Sequence, residues 1–102
     1  MSKNTTETKQ HVIEALNNAI AETLSLSGKE MPNLTDYELC PILDIAGFDS
    51  QCGIEVTVEL ETVLGIADLT DNIFIKEVDS KPRARTFNEI VIAILSLMGV
   101  KQ

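Results

Sequence analysis

"GFDSQCGIEVTVELETVLGI", residues 47–66, is the stretch on which the fold turns. Within it "IEVTVEL", 54–60, alternates apolar and polar residues and is rich in β-branched side chains, the pattern of a half-buried strand. Its frame speaks for a helix: Asp49-Ser50 is a polar start of the kind that opens helices, and Gly65 suits the left-handed position that closes them. The chain offers no second convincing strand to pair with 54–60, and an isolated strand leaves its backbone groups unsatisfied. The expectation is a helix from Asp49/Ser50 to Gly65.

Upstream, Asn4 with Glu7 is a weak helix start. Val12/Ile13, Leu16, Ala19/Ile20 and Leu24 then recur every three to four residues before Gly28. A first helix of about twenty residues follows from this period, with His11, Glu14, Asn17 and Asn18 largely off its apolar stripe. From Lys29 to Asp49 the period fails. Pro32, Pro41 and Gly47 punctuate a long loop pegged by Leu34, Leu39, Ile42, Leu43, Ile45 and Phe48, and Thr35 with Glu38 has the spacing of a capping box for one short turn.

Downstream, residues 66–85 read as a connector. "LTDNIFIKEV" is a short apolar piece that Thr70 would cap into one or two helical turns, and "DSKPRAR" is a polar turn carrying the only basic cluster. The last helix is the best marked. Thr86 and Glu89 in "TFNE" form a capping box, Phe87, Ile90/Val91, Ile94 and Leu97/Met98 make the stripe, and Gly99 ends it. The expected fold is all-α, a small bundle of three longer helices and one short one packed by their stripes.

The chain has 102 residues and 44% hydrophobic content, enough for one domain with a packed core and too little for two. The opening "MSKNTTETKQ" has no apolar stretch behind a basic start and so does not read as a secretory signal. The apolar run at 90–100 is about half of the ~20 residues a membrane span needs. A cytoplasmic monomer with no membrane insertion is expected. Cys40 and Cys52 lack CxxC spacing, and the only histidine, His11, lies in the remote first helix, so both cysteines are expected to be reduced and non-catalytic.

The formal net charge of −8 argues against nucleic acid and anionic membranes. Between Lys29 and Lys76 no Lys, Arg or His occurs while ten acids do, a field of one sign that suits solubility or docking of basic partners. There is no HExxH, Gly-rich phosphate loop, Ser/His/Asp set or metal-ligand cluster. Glu55 and Glu59, four apart, read as solvated charges on a helix face. A non-catalytic protein is expected.

With that pattern laid out, 49–66 resembles the acyl carrier protein family, small four-helix carriers that hold substrates on a phosphopantetheine arm. Asp49-Ser50 stands where the family has Asp-Ser at the start of helix II. Ile54-Glu55-Val56 replaces Val-Glu-Leu, Leu60-Glu61 follows, and Leu64-Gly65-Ile66 closes the helix without insertion or deletion. A weaker likeness extends over about 6–98, including the loop entering at Phe48 and "TFNEIV".

The resemblance implies a long loop between helices I and II, a short helix III, and 4'-phosphopantetheine attached to Ser50 with Asp49 beside it. It also implies a docking face of Gln51, Ile54, Glu55, Val58, Glu59 and Glu61. The implied partners are a phosphopantetheinyl transferase and acyl-loading and acyl-processing enzymes with basic surfaces. Gln51, Cys52 and Gly53 depart from the family, Gly53 costing about 1 kcal/mol of helix propensity relative to Ala, and the 66–85 connector is longer than usual. Together these suggest a specialised carrier. Two other readings stay open: an unmodified acidic helical interaction module, and an aminoacyl or peptidyl carrier.

Overall fold

The computed structural model describes residues 5–30, 38–66, 69 and 72–99. In chain order the elements are α1 (Thr5–Leu26), α2 (Pro41–Asp44), α3 (Ser50–Leu64), β1 (Ile75–Val78), β2 (Lys81–Ala84) and α4 (Phe87–Leu97).

The ambiguous stretch is a helix. Its buried positions, Gly53, Val56, Thr57 and Leu60, fall at helical spacing. A strand would have put Ile54, Val56, Val58 and Leu60 on one face, yet Val56 and Leu60 are fully buried while Ile54 is 40% and Val58 57% exposed. Gly65 closes the helix at φ 67°, its N–H returning to the carbonyl of Glu61.

Each long helix contributes one stripe to a single core: Val12, Leu16, Ile20 and Leu24 from α1, Val56 and Leu60 from α3, and Phe87, Ile90, Ile94 and Leu95 from α4. α1 packs against both α3 and α4. Burying a side chain of this size contributes roughly 1.5–3 kcal/mol, so the stripes dominate the stability. The expected α4 stripe is adjusted by one residue: Leu95 is buried, whereas Leu97 is 51% exposed.

α4 begins as its sequence says. Glu89 N–H donates to Thr86 Oγ1 at 3.0 Å and Thr86 N–H donates to Glu89 Oε1 at 2.9 Å, closing the capping box. The second oxygen, Oε2, accepts from Lys76 Nζ of β1, so one carboxylate both caps α4 and ties a strand to it.

Two expectations are corrected. The domain is not all-α, because β1 and β2 form an antiparallel hairpin with Val78 opposite Lys81 and Ile75 opposite Ala84. The intervening Asp79 and Ser80 both have positive φ, 52° and 64°, the twist that a two-residue hairpin turn needs. Phe74 extends the ladder by accepting from Arg85 N–H at 2.8 Å. Counting outward from the turn puts Pro82 at a non-hydrogen-bonded pairing with Glu77, where its missing N–H is harmless.

The second concerns the short helix: the one found among the described residues, α2, precedes α3. Pro41 opens α2 with its pre-set φ, and Asp44 Oδ2 accepts from Cys40 N–H at 2.7 Å. No helix occurs among the described residues between α3 and α4, and the proposed cap for one, Thr70, lies outside the described residues. So do Leu34 and Thr35. Of the remaining loop pegs Ile45 and Phe48 are buried, Leu39 and Ile42 pack partly buried against the core, and Leu43 is 72% exposed.

Candidate functional site

Ser50 is the first residue of α3 and is exposed. The cap itself is Asp49, whose Oδ1 accepts from Cys52 N–H at 3.0 Å. This division of labour leaves the serine hydroxyl without a hydrogen bond to any described residue. The same bond, with further bonding to the Cys52 thiol, holds the fully exposed Asp49 carboxyl below its ordinary pKa, so the residue beside Ser50 is an anion at neutral pH.

Cys52 is half-buried, its Sγ 3.7 Å from the carbonyl of Gly47. Burial pushes its thiol up, and the charges of Asp49 and Glu55 push the same way. A thiol held protonated is a poor nucleophile. Cys40 is raised for the same first reason, with Asp44 adding to it.

Gly53 has a role that its own neighbourhood in sequence does not reveal. A Cβ at this position would lie 2.7 Å from Asn72 Oδ1. Asn72 is fixed from both ends: Nδ2 donates to the carbonyl of Ser50 at 3.0 Å, and Oδ1 accepts from Phe74 N–H at 3.0 Å. The glycine is the gap through which a side chain from beyond α3 reaches the backbone of the serine.

That contact belongs to a seam running along α3. Thr57, fully buried, donates to the carbonyl of Gly53 at 2.7 Å and accepts from Ile73 N–H at 2.9 Å. Glu61 Oε2 accepts from Leu69 N–H at 2.9 Å. Phe74, at the end of the seam, meets Phe48 edge to face with ring centroids 5.0 Å apart. Leu69 and Ile73, ahead of the hairpin, are thus held to α3 by side chains that accept from their backbone N–H groups.

The structure separates the expected docking residues into a stripe and two flanks. Gln51, Ile54, Glu55 and Val58 share the solvent-facing stripe. Glu59 and Glu61, two residues apart, are separated by about 160° around the helix. Glu59 is half-buried on the α1 side, where burial first, then the charge and hydrogen bonding of Glu22, raise its carboxyl above the usual range. Glu61 is on the other flank, engaged with Leu69. The outward stripe is therefore two apolar side chains, Ile54 and Val58, with Gln51 and one acid, Glu55.

Sequence reasoning had no means to find Asn72, Thr57 or the second role of Glu89, because each acts on a partner distant in the chain. The one available signal was Gly53 itself, a residue that weakens a helix and so calls for a reason to be there. Among the described residues no group of three or more His, Cys, Asp or Glu is placed to hold a metal ion, and no helix is long and apolar enough to cross a membrane. Comparison with known protein families, with curated proteins and with solved structures finds no match for this chain.

Proposed function

We propose that the protein is a non-catalytic carrier that bears 4'-phosphopantetheine on Ser50 and presents an acyl or related group to successive partner enzymes. One observation carries the reading: Asp49 takes over the capping of α3, leaving at the helix's first residue an exposed hydroxyl without a described hydrogen-bond partner. The residues present fit such a group. A phosphodiester here would lie at the positive end of the helix dipole, with no acidic side chain in the first turn of α3 itself; the Asp49 carboxylate opposes it but is already aimed at Cys52 N–H.

When attached, the arm supplies a thiol on a long tether, which converts encounters with successive enzymes into events at high effective concentration. The stripe of Gln51, Ile54, Glu55 and Val58, with Glu59 on its flank, would meet the phosphopantetheinyl transferase and basic loading or processing enzymes in short-lived contacts. Glu61 would contribute by fixing the seam beneath that surface.

A second reading, an unmodified interaction module, draws on the same exposed stripe, which is present whether or not Ser50 carries anything. Intact mass after co-expression with a broad-specificity phosphopantetheinyl transferase separates the two. The carrier reading expects the mass of one arm on the native chain and none on Ser50→Ala. An unchanged mass, or an adduct that survives Ser50→Ala, overturns it.

A further inference from the structure

The hairpin and α4 border an open groove of about 310 Å3 that no described residue of α3 lines. Leu69 and Ile73, both buried, line it. Ile75 of β1, Ala93 of α4 and the half-exposed Leu97 complete its apolar lining. Ala93, Ser96 and Leu97 recur at helical spacing, so α4 presents a second stripe beside the one it buries.

The polar groups of the lining are the hydroxyl of Ser96 and the guanidinium of Arg85. Arg85 Nη1 donates to the carbonyl of Ile73 at 3.3 Å, and the side chain forms no ion pair with any described residue. Most of its five N–H donors have no partner among the described residues. No acidic residue lines the groove among the described residues, in a chain whose formal net charge is −8.

We propose that this groove binds a small amphipathic monocarboxylate, its tail against Ile73, Ile75 and Leu97 and its carboxylate on Arg85. A single guanidinium matches one carboxylate in charge and in its pair of parallel hydrogen bonds. A dianion would leave one negative charge without a cation among the lining residues to pair it, and an uncharged ligand would leave the guanidinium without a counter-ion. The volume is at the small end of ligand sites, which favours a short tail over a long one. This site is independent of whether Ser50 is modified.

The test is titration of the full chain, and of Ser50→Ala, with octanoate and with octanol, followed by amide chemical shifts. Octanoate is expected to give saturable shifts centred on Ile75, Ala93 and Leu97 in both chains, with an affinity at least tenfold above that for octanol. Arg85→Gln should weaken octanoate by tenfold or more. Because Arg85 also braces the carbonyl of Ile73, a second variant, Leu97→Asp, places a repelling charge at a half-exposed position of the lining without touching that bond and should weaken octanoate as much. Equal affinity for octanol, shifts centred elsewhere, no saturable shifts, or undiminished binding by Leu97→Asp would overturn the proposal.

Discussion

Replacing Gly53 by alanine sets two effects of known sign against each other. Alanine in a helix is worth about 1 kcal/mol more than glycine. Its Cβ would also lie 2.7 Å from Asn72 Oδ1 and 3.1 Å from Nδ2, so Asn72 must move. Movement breaks the bond to the carbonyl of Ser50 and the bond from Phe74 N–H. Phe74 is fully buried, and a buried donor left unpaired costs about 1–3 kcal/mol. The loss exceeds the gain, and Gly53→Ala is expected to destabilise by about 1 kcal/mol in urea unfolding. The sign should reverse once Asn72 is gone: in an Asn72→Ala background the same change should stabilise by about 1 kcal/mol, giving a coupling of about 2 kcal/mol in the double-mutant cycle. If Gly53→Ala stabilises equally in both backgrounds, the glycine is not there for Asn72 and the argument fails.

Three further outcomes follow from the same geometry. Thr57→Val keeps the shape and burial of the side chain but leaves Ile73 N–H without its acceptor, so stability should fall by about 1–3 kcal/mol, read from thermal or urea unfolding. Glu89 is held down to about 2, first by the hydrogen bond from Lys76 and next by that from Thr86 N–H, against an ordinary value of 4.5. A depressed carboxyl contributes stability that is complete above its unfolded pKa and is lost as pH falls through the folded one. Between pH 4.5 and 2 the melting temperature should therefore decline less steeply in Glu89→Gln, which can still cap α4, than in the native chain. Finally, Cys52 should react with iodoacetamide at neutral pH more slowly than a free model thiol, because burial and neighbouring acids keep it protonated; a faster reaction would contradict that placement.

The helices were legible because their determinants are local. Thr86 and Glu89 are three residues apart, Asp49 needs only Cys52 N–H, and Gly65 answers to Glu61 within the same turn. The hairpin was not, because each strand is four residues long, Pro82 counts against a strand, and its turn uses Asp79 and Ser80 in place of the glycine that marks such turns. The short helix found among the described residues precedes α3, where Pro41 and Asp44 supply the start. For the site, the sequence marks the exposed first residue of α3 and the apolar-acidic stripe. Helix spacing already sets Glu59 and Glu61 on opposite flanks, but the sequence is silent on what each flank meets, the α1 side with Glu22 for one and Leu69 for the other.

The seam along α3 also sets what substitution can do to the segment it holds. Glu61 and Thr57 bind the amides of Leu69 and Ile73 and take no notice of which side chains those residues carry. Many apolar residues of fitting volume would satisfy either position as well as the native ones do. Proline is different, because it brings no N–H to offer. Drift at these two sites should therefore range widely across hydrophobic residues while avoiding proline, whereas Thr57, which must both give and accept a bond in a buried place, has few substitutes.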